Sequence, residues 1–142
     1  MVGPFETIDV VRSICSLFSA SEAIITGRVI AVVGAKGGVG ASTVAHNLAW
    51  TIARALALDY DVIDLDLAFG TAGLDCNQDP VQGIANAVLS QDRPDTALME
   101  RLLSKCTERL SLLAAPATLD RVYDFGAEAF DAVFDTLRMT TP

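Results

Sequence analysis

"GRVIAVVGAKGGVGASTVAHNLAW", residues 27–50, decides how this chain is read. An apolar, β-branched stretch runs into closely spaced glycines, then into Ser42-Thr43 and a helical pattern. In such a loop, successive backbone N–H groups wrap an anion, and the helix that follows points its partial positive end at it. Gly37, Gly38 and Gly40 allow the close approach and the unusual backbone angles that the wrap needs. The stretch therefore predicts a buried parallel strand over 28–34, a phosphate-binding loop, and a helix over about 42–58. A dinucleotide fingerprint, G-x-G-x-x-G, does not fit "GAKGGVGAST", and a plain glycine-rich turn is the bland alternative. One residue is out of pattern: Ala41 stands where such loops usually carry a phosphate-gripping lysine.

Outward from the loop, strand and helix patterns alternate. "YDVIDLDL" (60–67) reads as a second strand and "LSLLAAPA" (110–117) as a third, with helices over about 81–90 and 95–106 between them. A last helix starts near Gly126, with Phe130, Val133, Phe134 and Leu137 on one face. Before the loop, residues 4–18 look helical and 19–27 read as a linker. Alternation of this kind implies an α/β fold whose mostly parallel sheet is flanked by helices. Asp64 and Asp66 then fall at the carboxyl edge of the sheet, where ligands bind in such folds. One carboxylate there can hold Mg²⁺ through water and the other can orient an attacking water. The competing reading is that both merely cap the next turn.

Composition narrows the function classes. The 142 residues carry 18 acidic and 10 basic side chains, a net charge of −8. That opposes non-specific duplex binding and basic membrane-surface helices alike. No apolar run reaches the ~18 residues of a membrane span, and Glu6 and Asp9 come too early for a secretory leader. Cys15, Cys76 and Cys106 are scattered, so they read as reduced thiols of a cytoplasmic protein. His46, the only histidine, reads as a surface residue of the loop helix. Trp50, Phe130 and Phe134 read as packing residues, and Asp124-Phe125-Gly126 as a chance triplet with no kinase loop beside it.

"AKGGVGAST" resembles the deviant Walker A signature, KGGxGK[ST], of the MinD/ParA group of P-loop ATPases. The resemblance implies an ATP or ADP site made by Lys36, Gly37, Gly38, Val39, Gly40, Ala41, Ser42 and Thr43. It implies that Lys36 reaches phosphates across a dimer interface, that Ser42 and Asp64 serve Mg²⁺, and that Asp66 and Lys36 act in catalysis. The longer strings "GAKGGVGASTVAHNLAW", "DLDLAFGTAGLDCNQDPVQGIANAV" and "LSLLAAPATLD" look like the CpaE/TadZ branch, the pilus assembly ATPases of the Flp/Tad system.

That branch implies three regions. Residues 1–18 would be the C-terminal helix of a degenerate receiver-like domain, 19–27 a linker, and 28–142 the N-terminal half of a MinD/ParA-like domain. The P-loop NTPase fold would be partial, with the chain stopping before the Walker B strand. The implied partners are a second copy, bound with nucleotide, and pilus or secretion assembly proteins. No nucleic acid and no intrinsic membrane segment are implied. The implied place is the cytoplasm, with recruitment to the inner-membrane assembly site. Three functions stay open: a nucleotide-binding assembly or positioning factor, an active P-loop ATPase, and a non-hydrolysing docking module. Ala41 is the residue that separates them.

Overall fold

A computed structural model of the protein describes residues 27–79, 82–90 and 93–141. The expected helix over 4–18 and most of the linker lie outside the described residues. The elements run α1 (Ala41–Leu56), β1 (Tyr60–Ile63), α2 (Ala72–Asp75), α3 (Ile84–Val88), α4 (Thr96–Leu102), β2 (Ser104–Lys105), β3 (Leu110–Leu113) and α5 (Glu128–Thr140). They form a small α/β fold around a three-stranded mixed sheet ordered β1-β3-β2.

β1 and β3 are parallel, with Val62 opposite Leu112 and Ile63 opposite Leu113. Side chains alternate across a strand, so this register sorts the core into two layers. On one face Leu113 and Ile63 meet Ile84, Met99, Leu102, Val133 and Leu137 from α3, α4 and α5. On the other, Leu112 and Val62 meet Ala72 of α2 together with Cys76 and Cys106. α1 packs beside α2 and buries Ile52 and Ala53.

Local chemistry sets the helix ends. Asp95 caps α4 by accepting from the Leu98 N–H at 2.8 Å. Glu128 and Asp131 in the first turn of α5, with Arg138 in its last, match the helix dipole. The Thr136 hydroxyl donates to the Pro94 carbonyl at 2.9 Å and ties α5 to the approach of α4.

Two expectations about the sheet need correction. Residues 28–34 are not a strand. Gly27 is held at the end of α5, its N–H donating to the Arg138 carbonyl at 2.7 Å and its own carbonyl accepting from Arg138 Nε at 2.9 Å. Beyond it Val29 is 57% exposed and Val33 85%. A β-branched run suits a pleated surface but becomes a strand only by pairing. Among the described residues, β1 pairs only with β3.

The expected helix over 95–106 stops at Leu102, and the sheet is mixed rather than mostly parallel. Ser104 and Lys105 turn antiparallel to β3, opposite Leu112 and Ser111. The Thr107 hydroxyl accepts from the Arg109 and Leu110 N–H groups and closes the hairpin.

Candidate functional site

The glycine loop occupies residues 35–40, and α1 begins directly after it at Ala41. Gly38 (φ 76°) and Gly40 (φ 83°) are left-handed, a conformation only glycine adopts cheaply. Gly40 is the N-cap of α1 and offers no side chain, so the first turn of the helix has no side-chain cap. A Cβ built on Gly37, Gly38 or Gly40 meets nothing within 4 Å, so open space surrounds the loop. Ser42 and Thr43 are exposed in the first helical turn. Lys36 is exposed and makes no ion pair among the described residues.

Asp64 and Asp66 leave the sheet just past the end of β1 and organise the loop that follows. Asp64 Oδ1 accepts from the Asp66 N–H and its Oδ2 from the Ala72 N–H, both at 3.1 Å. Asp66 Oδ1 accepts from the Phe69 N–H at 3.1 Å, and its carbonyl from the Gly70 N–H at 2.7 Å. Turn-capping is thus a role these carboxylates perform. Each carboxylate oxygen has a second lone pair, so capping leaves capacity for another ligand. Gly70 lies so close over Asp64 that a Cβ there would strike the carboxylate and the Ala115 methyl.

Loop helix and strand end share a cleft of about 590 Å³. It is lined by the segment 27–34 on one side and β1 on the other, and Ala41, Ser42, Asp64 and Asp66 all line it. Lys36, Gly37, Gly38, Val39, Gly40 and Thr43 are not in that lining. Ser42 and both aspartates thus open onto one cleft, and the lysine and the 37–40 glycines lie outside its lining. A smaller hollow of about 210 Å³ lies toward the other end of α1, between Trp50, Arg54 and Arg109.

Asp61, also in the cleft wall, has its carboxyl pushed up from the usual carboxylate range. Burial is the main cause, and the charge of Asp59 adds to it. Hydrogen bonds from the Thr141 hydroxyl, at 2.6 Å, and from Ser111 oppose the rise.

His46 corrects the surface reading. Its side chain is 17% exposed, and Nδ1 lies 2.6 Å from Asp75 Oδ2. Neither residue carries a sequence signal for this pairing, because 29 positions separate them. No group of three or more His, Cys, Asp or Glu suited to a metal ion occurs among the described residues. No described helix is long and apolar enough to cross a membrane.

No protein-family model matches the chain, and a comparison with curated proteins gives no match.

Proposed function

We propose that this chain is a nucleotide-binding module of the MinD/ParA P-loop class, taking ATP or ADP with Mg²⁺ and acting as an assembly or positioning factor for a Flp/Tad-type pilus. The observation that carries the nucleotide reading is one juxtaposition. A left-handed glycine turn opens onto an uncapped helix start, and that start shares a cleft with Asp64 and Asp66. The pilus assignment rests on the likeness of the sequence from Gly34 onward to the CpaE/TadZ branch, not on the chemistry of any side chain. The P-loop NTPase fold belongs to the same proposal.

The residues present suit the groups. A side-chain carbon on Gly37, Gly38 or Gly40 would meet nothing within 4 Å, so the loop leaves room for phosphate oxygens beside its backbone N–H groups. The Ser42 hydroxyl and the Asp64 carboxylate are hard oxygen donors of the kind Mg²⁺ takes, directly or through water. When bound, the ion would neutralise phosphate charge. Asp66 keeps Oδ2 for orienting a water, since Oδ1 is the atom given to Phe69. Lys36 can meet a phosphate from across a two-fold interface, in place of the charge that Ala41 lacks.

A non-hydrolysing docking module is the second reading, and two observations favour it. Ala41 brings no charge to the loop, and both oxygens of Asp64 already accept from their own chain. Calorimetry with Mg-ATP, paired with phosphate release, separates the readings. Binding that is lost in Gly38→Val supports the cradle, and binding unchanged in that variant removes it. Binding without phosphate release favours the assembly factor, phosphate release marks an active ATPase, and no binding at all favours the docking module and ends the nucleotide reading.

A further inference from the structure

Cys76 and Cys106 are 30 positions apart in sequence and adjacent in the fold. Cys76 follows α2, and its N–H donates to the Ala72 carbonyl at 3.0 Å. Cys106 follows β2, and its N–H donates to the Leu110 carbonyl at 2.8 Å. Both side chains are half-buried, and both pack on the cluster of Ala72, Leu112 and Ala114. The Cys106 thiol donates to the Ser104 carbonyl at 3.8 Å, and the Cys76 thiol lies near enough to act on its ionisation. A separate bond holds the same two segments together, from the Gln78 amide to the Lys105 carbonyl at 3.2 Å. No third His, Cys, Asp or Glu joins them in a metal-binding group among the described residues.

We propose that Cys76 and Cys106 form a modification site, at which a hydroperoxide converts the two thiols into a reversible disulfide. The inference stands apart from the nucleotide reading and needs none of its residues. Roles within the pair follow from the surroundings of Cys106. Its thiol is pushed up to about 12, by burial first and then by the neighbouring Cys76. Thiolates are the nucleophiles, so Cys106 stays protonated at rest and Cys76 reacts first.

The Cys76 thiolate attacks one peroxide oxygen and the O–O bond breaks. Cys76 becomes a sulfenic acid, and the departing hydroxide takes a proton to become water. Cys76 then carries no charge, which removes the repulsion that opposes ionisation of Cys106. Cys106 gives up its proton, its sulfur attacks the Cys76 sulfur, and the S–O bond breaks with loss of a second water. Overall, two thiols and one hydrogen peroxide give one disulfide and two waters. The bond fastens α2 to the β2–β3 hairpin. It thereby steadies Ala72, whose N–H holds the Asp64 carboxylate.

The test is peptide mapping of the chain in a Cys15→Ser background after graded hydrogen peroxide, with thiols counted under denaturing conditions. The expected result is parallel loss of both thiols and a disulfide joining the tryptic peptide that begins at Cys106 to the one containing Cys76. Dithiothreitol should restore both thiols. In Cys106→Ser, Cys76 should run on to sulfinic acid that dithiothreitol does not reverse. Sulfinic acid at Cys76 of the parent with Cys106 still free would overturn the proposal. So would linkage only between molecules, or a Cys106→Ser variant that over-oxidises no more than the parent.

Discussion

His46 Nδ1 lies 2.6 Å from Asp75 Oδ2, so the helix after the glycine loop is fastened to the short helix after the D-x-D stretch. Both segments that carry candidate phosphate and metal ligands are thus tied by one side-chain pair. Asp75 is 51% exposed, which keeps the expected contribution small. A double-mutant cycle of His46→Ala and Asp75→Ala, read by urea unfolding, should give a coupling of about 0.2–1 kcal/mol. A coupling of zero would mean that the two helices are held by packing alone.

Asp61 should shape the pH dependence of stability. Its folded carboxyl titrates above the ordinary value of 3.8, chiefly through burial. The stability it contributes is fully present below 3.8 and is lost as pH rises through the raised folded value. Asp61→Asn keeps an acceptor for the Thr141 hydroxyl and removes the titration. It should therefore raise thermal stability at neutral pH relative to the parent, with the gain vanishing below 3.8. Melting curves across that range are the measurement, and parallel profiles for the two proteins would show that burial of Asp61 is not what acts.

Gly70 and Gly37 should respond oppositely to the same change. A methyl at Gly70 strikes the Asp64 carboxylate and Ala115, so Gly70→Ala should cost about 1–3 kcal/mol. A methyl at Gly37 meets open space, so Gly37→Ala should stay within about 0.5 kcal/mol of the parent. Urea denaturation of the two variants gives the comparison. Equal stability would mean that the loop over Asp64 yields without cost.

The two lysine positions of the loop should act separately. Lys36→Ala should weaken nucleotide-dependent association, because an exposed lysine without an ion-pair partner among the described residues is free to serve a phosphate across an interface. Ala41→Lys should tighten nucleotide binding within one chain and leave association unchanged. A charged contact is worth about 1.5–3 kcal/mol, or roughly ten- to a hundred-fold in affinity. Light scattering with and without Mg-ATP, beside calorimetry, reads both effects. Dimerisation of Lys36→Ala equal to that of the parent would end the cross-interface role.

What the sequence determined by itself was local. The pattern from Ala41 to Leu56 makes α1, the apolar runs make β1 and β3, and the spacing of Val133 and Leu137 makes α5, because periodicity and propensity act within a few residues. Residue types also marked the glycine turn and the two aspartates as candidate chemistry. Only the tertiary structure decided the relations that need a distant neighbour. Val29 to Val33 have strand propensity and no strand, since pairing is a property of two segments. Ser104 and Lys105 have little strand signal and form one, since β3 offers them an edge. His46 with Asp75, Cys76 with Cys106, and Ser42 in one cleft with Asp64 and Asp66 are meetings across tens of residues. Chain packing alone brings such pairs together, because no short-range rule in the backbone reaches that far.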